Sequence, residues 1–314
     1  MPPHQEEPQS PQGDAYNHFL NTTDDVTKRN EVQRLELQYR MMAPMVERWV
    51  REFDNDDTHD DSSQSQTTWL DLGCGPGHDT ALLCRILRTK QKTNAKIIGM
   101  DINLELLQQA KDSYQALFGE DVVSFVEGSA IDIPLQDASV DRVFVKLVLQ
   151  HLPAKDRTKV LSELYRILKP GGKAWIVDVD EFNHGACFYI SPQPPDGFRE
   201  AMELFHTENT KQGTNDRQVA GKLPPLLRQV GFSKIQMKTD SVVGGRDQDC
   251  SVAEVLGAFY NWKFNSLLTR FQEEPPHDNR MVEKVGQWFQ NLQQLSCDMD
   301  STVMYPLFLV AAEK

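Results

Sequence analysis

The chain has 314 residues, 33 Lys and Arg against 46 Asp and Glu, and a formal net charge of −13. That length allows one large domain or two modest ones with a sizeable core. The acidic balance repels phosphate backbones and argues against a nucleic-acid partner, and no apolar run approaches the roughly 20 residues that span a bilayer, so no membrane partner is expected.

In chain order, residues 1–14 are rich in Pro, Gln and Glu and read as a disordered tail without the basic and apolar regions of a signal peptide. A soluble, cytoplasmic protein is expected. Residues 15–66 read as an N-terminal helical lid and an acidic loop. Tyr16 and Phe19 precede a helical pattern from about Thr27 to Phe53, in which Val32, Leu35, Tyr39, Met42 and Val46 recur at three- and four-residue steps. Pro44 is expected to kink or split it. The run DNDDTHDDSSQSQ reads as a solvated loop.

Strands and helices then alternate over 67–180. Thr67–Leu72 reads as a strand, Asp79–Arg88 as a helix and Lys96–Asp101 as a second strand. Asn103 suits a helix N-cap, with the helix running to about Phe118. Val122–Glu127 and Val140–Lys146 read as strands three and four. Lys155–Leu168 reads as a helix stopped by Pro170-Gly171-Gly172, and Lys173–Val179 as strand five. This alternation implies an α/β fold, a mostly parallel sheet with helices on both faces. Residues 181–314 break the rhythm. Helical patterns cover about Gly197–Thr210, Asp216–Val230 and 252–295, with strands near Ser233–Thr239 and Val303–Ala311. They read as helical cap insertions plus the last strands. The five cysteines show no CxxC spacing and the eight histidines no metal-ligand spacing, so neither disulfide nor zinc is expected.

The chemistry starts at Leu70-Asp71-Leu72-Gly73-Cys74-Gly75-Pro76-Gly77. A buried strand delivers the chain to the sheet's carboxyl edge, where ligands of open α/β sheets bind. Glycines there let the backbone turn and approach a ligand, and the helix after them offers free N–H groups. Gly73 and Gly75 fit a dinucleotide fingerprint, but His78 stands where its third glycine belongs, and no Gly-Lys-Ser/Thr follows for a phosphate loop. Asp101 ends the second strand, where a carboxylate can accept both ribose hydroxyls of an adenosine group. Taken alone, it also suits a helix N-terminus.

Four segments together carry a resemblance: LDLGCGPG (70–77), IIGMD (97–101), FVEGSAIDIPLQDASVDRVFVKLVLQHL (125–152) and LKPGG (168–172). They resemble the class I S-adenosyl-L-methionine-dependent methyltransferases over about 67–180. A small-molecule, UbiE-like group also has an N-terminal helix E-x-x-R-L-x-x-Q, here Glu31, Arg34, Leu35 and Gln38, and a cap helix like Asp216–Pro224. The resemblance implies a Rossmann-like sheet of seven strands, the last antiparallel, with a helical lid after strands five and six. It implies S-adenosyl-L-methionine as cofactor. Asp71, Gly73, Cys74 and Gly75 would contact its methionine end, Asp101 and Ile102 its ribose and adenine, and Ser129 and Ala130 the adenine edge. Many members have Asp where Ser129 stands. Lys146 would lie near the methionine moiety, or stand as a solvated strand end.

Methyl transfer needs alignment above all, and some acceptors need a proton removed. His151 and Asp178 are the candidate bases, although each also has a structural reading as a packing histidine or a loop cap. Asp180 stands beside Asp178 at the same edge. Phe182, Phe188, Tyr189, Phe198, Phe205, Phe259, Tyr260 and Trp262 line an apolar pocket or fill core. The expected reaction is in-line methyl transfer to O, N or S of a small organic substrate, in secondary metabolism. The alternatives are a protein or RNA methyltransferase, or a regulatory protein that binds the cofactor without turnover. An Asn-Pro-Pro-Tyr tetrad is absent after strand four, which lowers a nucleobase or glutamine target.

Overall fold

A computed structural model describes residues 25–54, 66–89, 94–181, 189–212, 216–273, 277–298 and 300–314. The expected tail, Tyr16, Phe19, most of the acidic run, Phe182 and Phe188 lie outside the described residues. The strands are β1 (Thr67–Leu72), β2 (Ala95–Asp101), β3 (Val123–Glu127), β4 (Val140–Lys146), β5 (Leu168–Asp178), β6 (Tyr189–Ser191), β7 (Ser233–Gly244) and β8 (Thr302–Glu313). They form one sheet in the order β3-β2-β1-β4-β5-β8-β6, with β7 also paired to β8.

The four pairings among β1 to β5 are parallel, whereas β8 runs antiparallel to β5, β6 and β7. The expected antiparallel last strand is therefore present, but among the described residues the sheet has eight strands rather than seven. The extra strand, β6, pairs only Tyr189 to Ser191 with Met304 to Thr302. Three residues are too short to leave an alternating pattern in the sequence.

The helices are α1 (Asp25–Asp54), α2 (His78–Thr89), α3 (Leu104–Ala110), α4 (Ala116–Phe118), α5 (Ala154–Ile167), α6 (Phe198–Gln212), α7 (Val219–Val230), α8 (Val252–Phe259), α9 (Asn261–Glu273) and α10 (Asn279–Gln294). A π-helical turn, Lys111–Gln115, joins α3 to α4.

The pleat sorts the strand residues between two cores. Trp69, Ile97, Phe144, Trp175 and Leu309 face one core, shared with α1, α2, α6, α8, α9 and α10. Leu70, Ile98, Val143, Ala174 and Val310 face the other, closed by Leu161 and Leu164 of α5 and Leu223 and Leu227 of α7. This period-two division makes a helix-covered sheet whose carboxyl edge stays available.

Pro44 does not split its helix: α1 runs through it for 30 residues. A proline inside a helix costs about 3 kcal/mol. Met42, Met45, Val46, Trp49 and Val50 are all buried around it, each contributing roughly 1.5–3 kcal/mol, so tertiary burial wins. The helix after β4 ends at Ile167, and Leu168-Lys169-Pro170-Gly171-Gly172 already belongs to β5.

Candidate functional site

The glycine turn is held by the end of the neighbouring strand. Gly73 and Cys74 both donate backbone N–H groups to the Met100 carbonyl, at 2.7 and 3.0 Å. Gly75 N–H donates to Asp101 Oδ2 at 2.8 Å. The other oxygen, Oδ1, accepts from Asn103 N–H at 2.9 Å, and the Asn103 side chain caps α3 by accepting from Leu106 N–H at 3.0 Å. Asp101 thus fastens the β1 turn to the start of the helix after β2. Its carbonyl accepts from Gly128 N–H at 3.1 Å, which brings Ser129 and Ala130 to the same edge. Ile102, beside Asp101, is an apolar side chain left 48% exposed.

Charge is concentrated here. The buried Asp71 accepts from Thr80 Oγ1 at 2.6 Å. Lys146, at the end of β4, forms an ion pair with Asp79 at the start of α2, and both side chains are almost covered. Lys146 is therefore no solvated strand end. Burial and the nearby Asp79 charge push the Asp71 carboxyl up to about 7. Burial also raises Asp101, against the N–H groups that bond it. The Cys74 thiol is pushed well up by burial and by Asp71, so it is no thiolate nucleophile. Two further acids, Asp79 and Asp101, and one cation, Lys146, act on Asp71, and that excess of acid suits a ligand with a cationic part.

His78, at the third-glycine position, has a packing explanation. Its ring stacks on Tyr39 of α1 with centroids 5.0 Å apart, and its Nδ1 lies 2.8 Å from the Tyr114 hydroxyl. The side chain joins α1 and the π-helical turn to the glycine loop. Farther along α1, Glu31 holds Arg34 in a two-pronged pair at 2.6 and 2.8 Å. Arg34 also donates to the Ala258 carbonyl at 3.3 Å. The E-x-x-R motif therefore ties the N-terminal helix to the end of α8.

On the other half of the edge, His151 sits half-buried at the end of a 3₁₀ turn, Leu149–His151. Asp178, fully buried, accepts from Gln150 N–H at 3.2 Å and Val179 N–H at 3.0 Å. Burial pushes its carboxyl up to about 7. His151 and Asp178 are thus brought to adjoining turns through Gln150. Both Asp178 oxygens already accept backbone N–H groups, a geometry that holds the turn.

Next to them lies a buried cluster absent from the sequence expectations. Glu181 accepts from Arg217, from Lys263 at 2.6 Å and from the Tyr305 hydroxyl at 2.9 Å. Burial alone would raise the Glu181 carboxyl, and the Arg217 and Lys263 cations overturn that and hold it at about 2. Arg217 also donates to Gln150 Oε1. Arg217 Nε and Glu181 Oε2 are buried without a hydrogen-bond partner among the described residues. The described members of the aromatic set are largely core: Phe198 packs on Tyr260 and Phe264, and Phe259 stacks on Tyr305 with centroids 4.0 Å apart.

Residues 70–176 match a family model described as a methyltransferase domain. The methyltransferase GfsG of Streptomyces halstedii is 36% identical over 143 residues, covering 45% of this chain and 48% of that protein. The chloroplastic 2-phytyl-1,4-beta-naphthoquinone methyltransferase of Arabidopsis thaliana is 33% identical over 171 residues, covering 52% of this chain and 63% of that one. This core belongs to the class I S-adenosylmethionine-dependent methyltransferases. The chain spans about half of the first relative and under two thirds of the second. A solved structure from Galdieria sulphuraria, described as a candidate sarcosine dimethylglycine methyltransferase, shares the fold. Its TM-score is 0.50 at 18% identity, over 86% of this chain and 85% of that one.

In the methyltransferase core, hydrogen bonds link Asp101 directly to Gly75 and to the Ser129 loop. Glu181, Lys263 and Tyr305 had no place in the sequence reading, Asp79 stood there only as a helix start, and Arg217 only as part of the cap-helix motif. A lysine among aromatics in Phe259-Tyr260-Asn261-Trp262-Lys263-Phe264 was the available signal: a cation on an apolar helix face needs a buried partner.

Proposed function

We propose that this chain is an S-adenosylmethionine-dependent methyltransferase acting on a small organic acceptor at O, N or S. The observation that carries the reading is the Asp101 carboxylate, which accepts from Gly75 N–H at 2.8 Å and from Asn103 N–H at 2.9 Å at the sheet's carboxyl edge, inside a matched methyltransferase domain.

The site fits the cofactor chemically. A Cβ on Gly75 would meet only Leu106 Cδ1, at 3.9 Å, so the backbone offers open approach. Asp71 is a buried carboxyl suited to an α-ammonium group. Gly73 and Cys74 form the turn beneath the methionine end. Asp101 would take the ribose hydroxyls, Ile102 would lie against the adenine face, and Ser129 and Ala130 would border its edge. Lys146 would act through Asp79, orienting the first turn of α2 beside Asp71. When bound, the cofactor supplies a methyl group on a sulfonium, with a neutral thioether as leaving group. The chain's own task is to align the acceptor on the β4–β5 side and exclude water. His151 is the candidate base, and Asp178 holds its turn. An acceptor that ionises by itself, such as a thiol, would need neither.

The quinone-type acceptor in the Arabidopsis relative's name supports a small organic acceptor, and the net charge of −13 disfavours RNA. Secondary metabolism is the proposed setting, and the cytoplasm the proposed place. Among the described residues, no helix is long and apolar enough to cross a membrane. The test is incubation with methyl-labelled S-adenosylmethionine and cell extract, then identification of the labelled product. Calorimetry with S-adenosylhomocysteine and NAD runs beside it. Binding of NAD alone would overturn the reading, and binding of S-adenosylhomocysteine without labelled product would favour a regulatory protein.

A further inference from the structure

The segment that leads into α7, with that helix's first turn, grips two strand ends at once. Its backbone docks on both: Asp216 N–H donates to the Gln150 carbonyl at 2.7 Å, Glu181 N–H to the Arg217 carbonyl at 2.7 Å, and Ala220 N–H to the Val179 carbonyl at 3.0 Å. Its side chains repeat the pattern. Asp216 pairs with Arg157 of α5 at 2.5 Å, and Arg157 in turn donates to the Leu149 and Leu152 carbonyls at 3.1 and 2.8 Å. Arg217, 3% exposed, reaches Gln150 Oε1 with one terminal nitrogen and Glu181 and the Tyr305 hydroxyl with the other. Glu181 is shared with Lys263 of α9 at 2.6 Å.

We propose that Arg217 is a positioning residue for methyl transfer, locking the Leu149–His151 turn to the β5 exit and to lid helix α9 so that the acceptor side of the site has one geometry. The proposal rests on the methyltransferase reading. A guanidinium suits the task because its planar fork spans two acceptors in fixed directions, whereas an ammonium is a point donor. Gln150 is the link that matters. Its N–H bonds Asp178, its side chain meets Arg217, and its carbonyl meets Asp216, so the residue before His151 is fixed on three sides. None of the hydrogen bonds or ion pairs described for Arg217 reaches residues 73–77 or Asp101, so the donor side does not depend on it. A displacement of about 1 Å at the reacting groups is enough to lower a rate by about a hundredfold.

The test compares wild type with Arg217→Met, Arg217→Lys and Gln150→Ala. Each is assayed for S-adenosylhomocysteine affinity by calorimetry, thermal midpoint, and label transfer from saturating S-adenosylmethionine into a dilution series of cell extract. The expected result for Arg217→Met is a plateau rate down about tenfold or more, with S-adenosylhomocysteine affinity within about twofold. Arg217→Lys should fall between Arg217→Met and wild type. Gln150→Ala keeps the Arg217–Glu181 pair, so it should fold even where Arg217→Met does not, and should still lose several-fold in plateau rate. A lowered midpoint with an unchanged plateau rate in Gln150→Ala and Arg217→Lys would overturn the proposal, as would a parallel loss of S-adenosylhomocysteine affinity. A wild-type chain that binds S-adenosylhomocysteine but transfers no label would overturn the methyltransferase reading and this proposal together. Failure of Arg217 alone is distinct, because there wild type and variants transfer label equally.

Discussion

Alanine at Gly75 and alanine at Gly77 separate a glycine proposed to face a ligand from one kept for packing. Both glycines have positive φ, +53° and +83°, so either substitution incurs about 1–2 kcal/mol of left-handed backbone strain. Their surroundings differ. A Cβ at Gly77 would lie 2.8 Å from Ala110 Cβ, 3.1 Å from Tyr114 and 3.2 Å from Phe125, adding about 1–3 kcal/mol of overpacking. A Cβ at Gly75 would meet only Leu106, at an ordinary 3.9 Å. Gly77→Ala should therefore cost about 2–5 kcal/mol and Gly75→Ala about 1–2 kcal/mol. At about 2–4 °C per kcal/mol for a chain of this order of size, Gly75→Ala should lower the thermal midpoint by only a few degrees. Its methyl group points where the methionine end of the cofactor is proposed to lie. Wild type should gain about 2.7 kcal/mol of stability from S-adenosylhomocysteine at 100 times Kd, and Gly75→Ala should lose most of that gain. Thermal denaturation with and without S-adenosylhomocysteine, paired with calorimetry, reads both effects. A Gly75→Ala protein that binds within about twofold of wild type would refute the placement.

Three further outcomes are expected. Asp101→Asn removes the charge behind two backbone bonds and the proposed ribose contact; charged hydrogen bonds contribute roughly 1.5–3 kcal/mol each, so calorimetry should show S-adenosylhomocysteine affinity down ten- to a hundredfold, and unchanged affinity would put the ribose elsewhere. Asp71 has its carboxyl raised to about 7 and faces a proposed α-ammonium, so binding should release a proton below that pH and tighten as pH rises towards it, read by calorimetry in buffers of different ionisation enthalpy. In the free chain Asp71 and Asp178, both raised to about 7, hold protons that the unfolded chain has already lost; their part in stability is complete below about pH 4 and is lost as pH rises to about 7, and Asp71→Asn should flatten that fall in the thermal midpoint. Lys146→Met leaves Asp79 nearly buried without its cation, which should cost roughly 3–5 kcal/mol; the double variant Lys146→Met, Asp79→Asn should recover most of it in urea denaturation, and no recovery would refute the pairing.

The half of the site proposed to hold the methyl donor was legible because its causes are local. Glycines at 73, 75 and 77 announce a turn, a strand pattern ends at Asp101, and Asn103 announces a cap, so three short windows place the residues that meet. The resemblance to known methyltransferases then supplied the ligand. Local windows fail where distant segments decide. Pro44 reads as a break, yet five buried side chains around it hold one helix. The β6 strand exists only because Tyr189 to Ser191 find an open stretch of β8. Lys146 also reads as a solvated strand end until Asp79 is seen beside it.

The half proposed to face the acceptor shows the same failure in stronger form. Glu181, Arg217, Lys263 and Tyr305 come from the β5 exit, the α7 approach, α9 and β8. Nothing in any one of those segments names the other three. Polar groups buried this deeply are costly unless paired, so such a cluster persists only where the fold completes it, and removing one member leaves the others unpaired. That cost has a functional counterpart. A site whose donor half is set by one loop and one carboxylate can keep its cofactor while the lid and its buried contacts change. Acceptor choice in this chain should therefore follow residues 149–151, 178–181, 216–220 and α9. Swapping those segments with a relative's should move acceptor preference and leave S-adenosylhomocysteine affinity where it was. If the swap instead abolishes S-adenosylhomocysteine binding, the two halves are one unit and the division drawn here is wrong.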